Sequence, residues 1–200
     1  MMNKKNNKNK ILKYLGLFAI TLILMLPSKL LASNVYEIDP VHSSVLFRIK
    51  HLAISNVYGK FIDFKGTLII DQEDPVKNSI EAYVAARSID TDTPKRDDHL
   101  QSPDFLNVNK FPMVSFRSQS WKKIDKDIFE VTGDLTLHGV TRPLTVKLEQ
   151  TGSGKDPWGG YRIGFETSFS IKRNDFKMGK MHDSVGGTVY IIVSIEAVRK

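Results

Sequence analysis

Few residues in this 200-residue chain are of types and spacings that could do chemistry. The five histidines are His42, His51, His99, His138 and His182, and none stands in a His-x-His or His-Glu-x-x-His pair. A metal site would have to be assembled by the fold from distant positions, and none is expected. The densest polar cluster is Arg96-Asp97-Asp98-His99. Asp97 or Asp98 beside His99 could orient the imidazole as a base. A partner nucleophile is missing, because cysteine is absent and no serine sits in a Gly-x-Ser-x-Gly elbow. The simpler reading puts both acids in the first turns of a helix, where the helix dipole favours them. Binding of a polar headgroup by Arg96, Asp97 and His99 lies between these two readings. Arg142 follows the Gly139 turn, and Lys172, Arg173, Lys177 and Lys180 surround Asp175-Phe176. Such charges form a solvated rim or an anion-binding one. Gly152-Ser153-Gly154, Gly159-Gly160 and Gly186-Gly187 lack the following helix that a phosphate cradle requires, so they read as hairpin turns.

Something must hold these residues in place, and its signature is period-two alternation. Val45, Phe47 and Ile49 share one face, and Ile80, Ala82, Val84 and Ala86 share another. Ile163, Phe165, Thr167, Phe169 and Ile171 do the same, and Val189 to Ala197 finish the chain in the same manner. About eight strands follow, at 43–51, 57–71, 78–89, 112–121, 127–138, 142–151, 161–172 and 186–198. The prolines fall in loops or at strand starts. His51 continues the inward face of its strand as a core or rim histidine. One apolar and one polar face imply a single core, and eight antiparallel strands bury it by closing on themselves. A two-sheet sandwich has the same pattern. Residues 90–111 are too long for a hairpin turn. Thr93-Pro94 and Ser102-Pro103 each place a cap residue before proline, predicting short helices at 94–101 and 103–107 that act as a lid or a plug. Small interior residues, Ala82, Ala86 and Thr167, tilt the barrel toward a cavity that holds one small ligand, while a gap filled by Phe side chains fits the same pattern equally well.

The first 32 residues read as an export signal, with residues 33–200 as the mature domain. Five lysines precede a 13-residue apolar run, Tyr14 to Leu26, which falls short of the ~20 residues a membrane helix needs. Pro27 and Ser28 break it, and Leu31-Ala32-Ser33 offers small residues for cleavage after Ala32 or Ser33. The expected destination is the periplasm or the medium, where a chain without cysteine has no disulfides to rely on. The formal charge of +7 is misleading, because residues 1–32 hold six lysines and no acid. The other 168 residues carry 23 Lys and Arg against 22 Asp and Glu. Nucleic-acid binding, which needs a cation excess, loses its support. A hydrophobic content of 41% with 26% charged residues also excludes a disordered tail and a polytopic membrane protein.

Several stretches together resemble the YceI-like lipid/polyisoprenoid-binding family. They are Asp39-Pro40-Val41-His42-Ser43-Ser44-Val45 with Lys50-His51, and Ser88-Ile89-Asp90-Thr91 followed by Arg96 to Leu106 and Lys110-Phe111-Pro112. Val131 to Thr136 running into Gly139-Val140-Thr141-Arg142-Pro143, then Arg173-Asn174-Asp175-Phe176 and Ile195 to Val198, complete the resemblance over 34–200. It implies an all-β, eight-stranded antiparallel lipocalin-like barrel with a short helical lid insertion and a tunnel for an extended apolar chain. The fold is often dimeric and often exported, with no firmly attached catalytic activity. The Gly-x-Trp signature of true lipocalins is missing, the only tryptophans being Trp121 and Trp158. Lys177-Met178-Gly179-Lys180 is more basic than the family usually is after its Asp-Phe pair.

The function so implied is a periplasmic carrier or sensor that holds an isoprenoid or other long-chain lipid, without cofactor and without catalysis. Phe47, Ile49, Ala82, Val84, Ala86, Phe165 and Phe169 are expected to line the lipid tunnel. Arg96, Asp97, His99 and Arg142 are expected to meet the headgroup. Extraction of the lipid implies transient membrane contact, and a homodimer is the expected assembly. Two alternatives remain at this point. One is an enzyme acting on such a lipid through His99 and Asp97; the other is a filled, ligand-free barrel for structural or stress protection.

Overall fold

The computed structural model describes residues 33–181 and 183–200. The expected leader therefore lies outside the described residues, and so does His182. The strands are β1 (Asn34–Ile38), β2 (Ser44–His51), β3 (Ser55–Phe61), β4 (Phe64–Ile70), β5 (Ser79–Ala85) and β6 (Ile89–Asp90). Helix α1 (Pro94–Gln101) follows, and then β7 (Met113–Lys123), β8 (Ile128–Leu137), β9 (Val140–Lys155), β10 (Tyr161–Lys172) and β11 (Val185–Arg199). All pairings are antiparallel. The ring β1-β4-β5-β7-β8-β9-β10-β11 closes through Tyr36 opposite Arg199 and Ile38 opposite Ala197. Eight strands complete the circle, so the sandwich alternative falls and the barrel stands.

Three of the eight walls are broken. β2 continues the line of β1 along the edge of β11, with Ser44 to Ile49 opposite Ser194 to Val189. The stretch expected as one strand at 57–71 is β3 and β4, interrupted at Ile62-Asp63. The stretch expected at 78–89 is β5 and β6 around a 3-10 turn at Ala86–Ser88. The ladder bridges both breaks, since Ala85 N–H donates to the Asp63 carbonyl (2.9 Å) and Ile62 N–H to that of Ser88 (3.1 Å). β1 was absent from the expected strands although it alternates, with Tyr36 and Ile38 inward. Five residues beside the leader give too short a pattern to stand out. Pro143 lies inside β9, not at its start. The β9–β10 ladder covers only Glu149–Lys155 of β9, so on that side the proline interrupts no ladder bond.

Helix α1 starts as expected. Pro94 occupies its first turn, and the Thr93 carbonyl accepts from Arg96 and Asp97 N–H. The second expected helix, 103–107, is instead a set of turns. Leu106 N–H returns to the Leu100 carbonyl (3.0 Å) and Val108 N–H to that of Gln101 (3.1 Å), with Asn107 at φ 47°. The chain folding back consumes the carbonyls at the end of α1. The few residues after Pro103 cannot offset the cost of nucleating another helix.

Candidate functional site

Accessibility along the inward faces shows where the barrel is full and where it is hollow. On β10, Ile163 and Phe165 are buried, whereas Thr167 and Phe169 are only half-buried. On β11 the same change runs from Ala197 and Ile195 to Val193, Ile191 and Val189, and on β5 from Ile80 to Ala82 and Val84. Inward residues that stay accessible must face internal space. One end is packed by Tyr36, Leu68, Val131, Ile163 and Phe165, with Trp121 edge-on to Phe165 at 6.0 Å. The other end is covered by Leu106 and Val108 against Leu135, Leu137 and Ile171. Between them lies a cavity of about 440 Å³ with almost wholly apolar walls. That volume is in the range of ligand pockets and far above the size of a packing void.

Phe47, Ile49, Ala82, Val84 and Phe169 line this cavity. Phe47 reaches the lumen across Gly59. A Cβ there would come within 2.4 Å of the Phe47 ring, so only glycine leaves room for it. Two expected lining residues are elsewhere. Ala86 is on the 3-10 turn, where the period of two is lost, and it is buried against the lid cluster. Phe165 keeps its inward direction but belongs to the packed end.

The cationic residues of the wall come from β2, β4, α1 and the turn after β10. Arg96 and His99 of α1 reach the cavity wall, as do Lys50, His51, Lys65 and Arg173, and among the described residues no Asp or Glu lines it. Arg96 Nε donates to Thr91 Oγ1 (2.7 Å) and its Nη2 to the Thr91 carbonyl (2.6 Å). Asp97 accepts from Thr91 N–H (3.0 Å) and Thr91 Oγ1, tying α1 to the chain that enters it. His99 Nε2 is 3.5 Å from Asp104 Oδ2, and Lys180 holds the other oxygen of that carboxylate. The Lys180 ammonium, and then His99, keep the Asp104 carboxyl below the usual carboxylate range. The Asp97–His99 acid–base pair is therefore not assembled, since Asp97 is turned to Thr91 and His99 to Asp104. Arg142 is outside the cavity wall. It is exposed, with Nε donating to the Asp175 carbonyl at 3.2 Å.

A second cluster closes the seam at the packed end. Arg162 Nη1 meets Asp39 Oδ2 (2.8 Å) and Glu196 Oε1 (2.5 Å), and its Nε meets Asp156 Oδ2 (3.0 Å). His42 Nδ1 is 2.8 Å from Asp39 Oδ2. The bond to His42, then that to Arg162, hold the Asp39 carboxyl at about 2. Asp39, His42 and Glu196 have metal-ligand spacing, but the guanidinium already lies between their oxygens and meets their charge. This is a structural clasp of β10, β11 and the β1–β2 turn.

Sequence reasoning missed the weight of Arg173, which it grouped with a basic rim. Nothing local marks this residue, because the turn after β10 decides where it goes.

The YceI-like domain model matches residues 36–197. The protein YceI of Shigella flexneri is 40% identical over 186 residues, covering 93% of this chain and 97% of that one. The crystal structure of a Campylobacter jejuni YCEI protein superposes with a TM-score of 0.69 at 31% identity, over 76% of this chain and 90% of that one. A polyisoprenoid-binding domain from Saccharophagus degradans, at 13% identity and TM-score 0.66 over 82% and 98%, shares the fold. With the barrel, its lid segment and a match over nearly all of the described residues, this chain belongs to the YceI-like family.

Proposed function

We propose that this protein binds a long-chain lipid, an isoprenoid or similar amphiphile, inside the barrel and carries or senses it in the periplasm. The observation that carries this reading is the apolar cavity of about 440 Å³ between the packed end and the lid. At the ~30 Å³ of one water in the liquid, it has room for at least about 15 heavy atoms. Burying that many methylenes yields roughly 12 kcal/mol gross. Association and ordering cost about 4–15 kcal/mol, so a tail of this length needs polar anchoring to bind tightly. Phe47, Ile49, Ala82, Val84 and Phe169 are the tail wall, and Arg96 and His99 meet the headgroup, with Asp97 positioning their helix. The polyisoprenoid-binding domain of the same fold supports a prenyl tail. Binding is favoured over catalysis because His99 and Asp97 have separate partners.

Loading requires contact with a membrane. Leu52 (50% exposed) and Ile54 (81%) at the β2–β3 turn, with Met181 (45%), stand beside the cavity residues Lys50 and His51, and they are the surface we assign to it. A homodimer through the outer wall is part of the same reading, supported by exposed Tyr58 and Tyr190 flanking Arg48 on β3 and β11. Native mass spectrometry of protein purified from its own periplasm, followed by lipid extraction, tests the proposal. One chain-like amphiphile per protomer and a mature N-terminus near Ser33 are expected. Protein that carries no lipid and takes up none from vesicles would refute the carrier reading, and retention of Met1 would refute cleavage.

A further inference from the structure

Arg173 stands apart from the other cations among the described residues. It lies on the 3-10 turn Arg173–Phe176 after β10 and is only 3% exposed. Its Nε donates to the Gly186 carbonyl (3.0 Å), and its Nη2 to the carbonyls of Lys180 (3.0 Å) and Val185 (3.1 Å). All three acceptors are neutral. Nη1 is buried without a hydrogen-bond partner. Asp104, on the lid segment beside Phe105, is taken by Lys180 and His99. A buried guanidinium with no carboxylate and a spare donor is costly. Burial accordingly lowers its affinity for the proton.

The location of Arg173 gives this cost a purpose. Arg173 is a wall residue of the cavity, and the Phe105 ring covers its guanidinium at 5.8 Å. Phe105 is also a wall residue and packs edge-on against His99 at 5.1 Å. The three carbonyls fix Nε and Nη2, leaving Nη1 as the free donor of a rigid fork. That donor belongs to a residue of the cavity wall. No carboxylate of the cavity wall competes for it among the described residues.

We propose that Arg173 is the anchor for an anionic headgroup, a carboxylate or a phosphate, so that the carried lipid is an acidic amphiphile. This rests on the reading of the cavity as a lipid site and adds the charge of the ligand and the residue that selects it. The test uses delipidated mature protein and two pairs of equal chain length: palmitate with hexadecanol, and farnesyl phosphate with farnesol. Wild type should bind one or both acids about 10- to 100-fold more tightly than the matching alcohol. Preference in the palmitate pair alone assigns a carboxylate, and in the farnesyl pair alone a phosphate. Arg173→Gln should bring the acid's affinity down to that of the alcohol and leave the alcohol unchanged. Equal affinity of acid and alcohol for wild type would overturn the proposal, as would equal loss of both in the variant. Binding of neither acid nor alcohol to wild type would instead overturn the cavity reading itself. Carboxyl-labelled palmitate followed by carbon-13 NMR on wild type keeps the test open if the variant does not fold. Where palmitate outbinds hexadecanol, its bound carboxyl should stay ionised to lower pH than in a detergent micelle, and an unshifted titration would refute the anchor; where only farnesyl phosphate outbinds its alcohol, phosphorus-31 NMR of that ligand reads the same shift.

Discussion

Ala82→Phe separates a ligand cavity from a merely loose core. Ala82 lies on β5 opposite Gly66 of β4 and Phe116 of β7, and it lines the cavity. A benzyl group there adds six carbons net, and with no side chain at Gly66 it has the lumen to enter. Against room for about 15 heavy atoms, six lost tail carbons at ~0.8 kcal/mol each amount to roughly 5 kcal/mol of gross burial. A tenfold change in Kd takes about 1.4 kcal/mol, so the limit is three to four orders of magnitude, and at least 100-fold should survive repositioning of the tail. The assay is a chain-length series of single-chain amphiphiles, titrated by displacement of a fluorescent probe. In wild type, affinity should climb with length and level off near 15 carbons or beyond; in the variant it should level off about six carbons earlier. Overpacking would cost about 1–3 kcal/mol of stability, which urea unfolding measures separately. A folded variant with the same plateau as wild type would show that the tail does not pass Ala82.

Phe165→Ala, at the packed end, should cost about 3–5 kcal/mol of stability in urea unfolding while leaving the chain-length plateau unchanged. Arg142→Ala should leave the affinity for palmitate and for farnesyl phosphate within twofold of wild type by calorimetry, because Arg142 bonds only the Asp175 carbonyl outside the cavity. Gly139→Ala should destabilise by at least about 1–2 kcal/mol, because residue 139 has φ +70° and the new methyl would meet the Phe111 ring at 2.3 Å; a thermal melt reads it. The Asp39 carboxyl is depressed to about 2 in the folded chain, so its contribution is full above the ordinary range near 4 and is lost as pH falls through about 2. Thermal melts from pH 5 to 2 should show a shallower decline for Asp39→Asn than for wild type, and parallel curves would remove the clasp from the acid response.

The strands were legible because the period of two is imposed wherever one face of a sheet meets the core. Ile163 to Ile171 and Val189 to Ala197 needed no context beyond their own alternation. The start of α1 was legible because Thr93-Pro94 is a local signal. The breaks at Ile62-Asp63 and Ala86–Ser88 were not. At the first the inward set slips from Val57 and Phe61 to Phe64 and Leu68 within a weakly alternating run, at the second the apolar spacing runs on into the turn through Ala86, and only the neighbouring walls dictate where a strand must bend. For the same reason Ala86 read as lumen-facing and is buried beside the lid instead. Which inward residues fill the barrel and which surround space was beyond the sequence. Phe165 and Phe169 are identical in type and direction, four residues apart, yet one packs against Trp121 and the other faces the cavity. Packing density is a property of all eight walls at one level of the barrel. The lid charges divide in the same way. Arg96 and His99 reach the lumen through the periodicity of one helix, which the sequence determined. Arg173 is buried without an acid only because the turn after β10 folds its side chain against the carbonyls of residues 180, 185 and 186. No spacing along the chain encodes that enclosure; tertiary structure decided it.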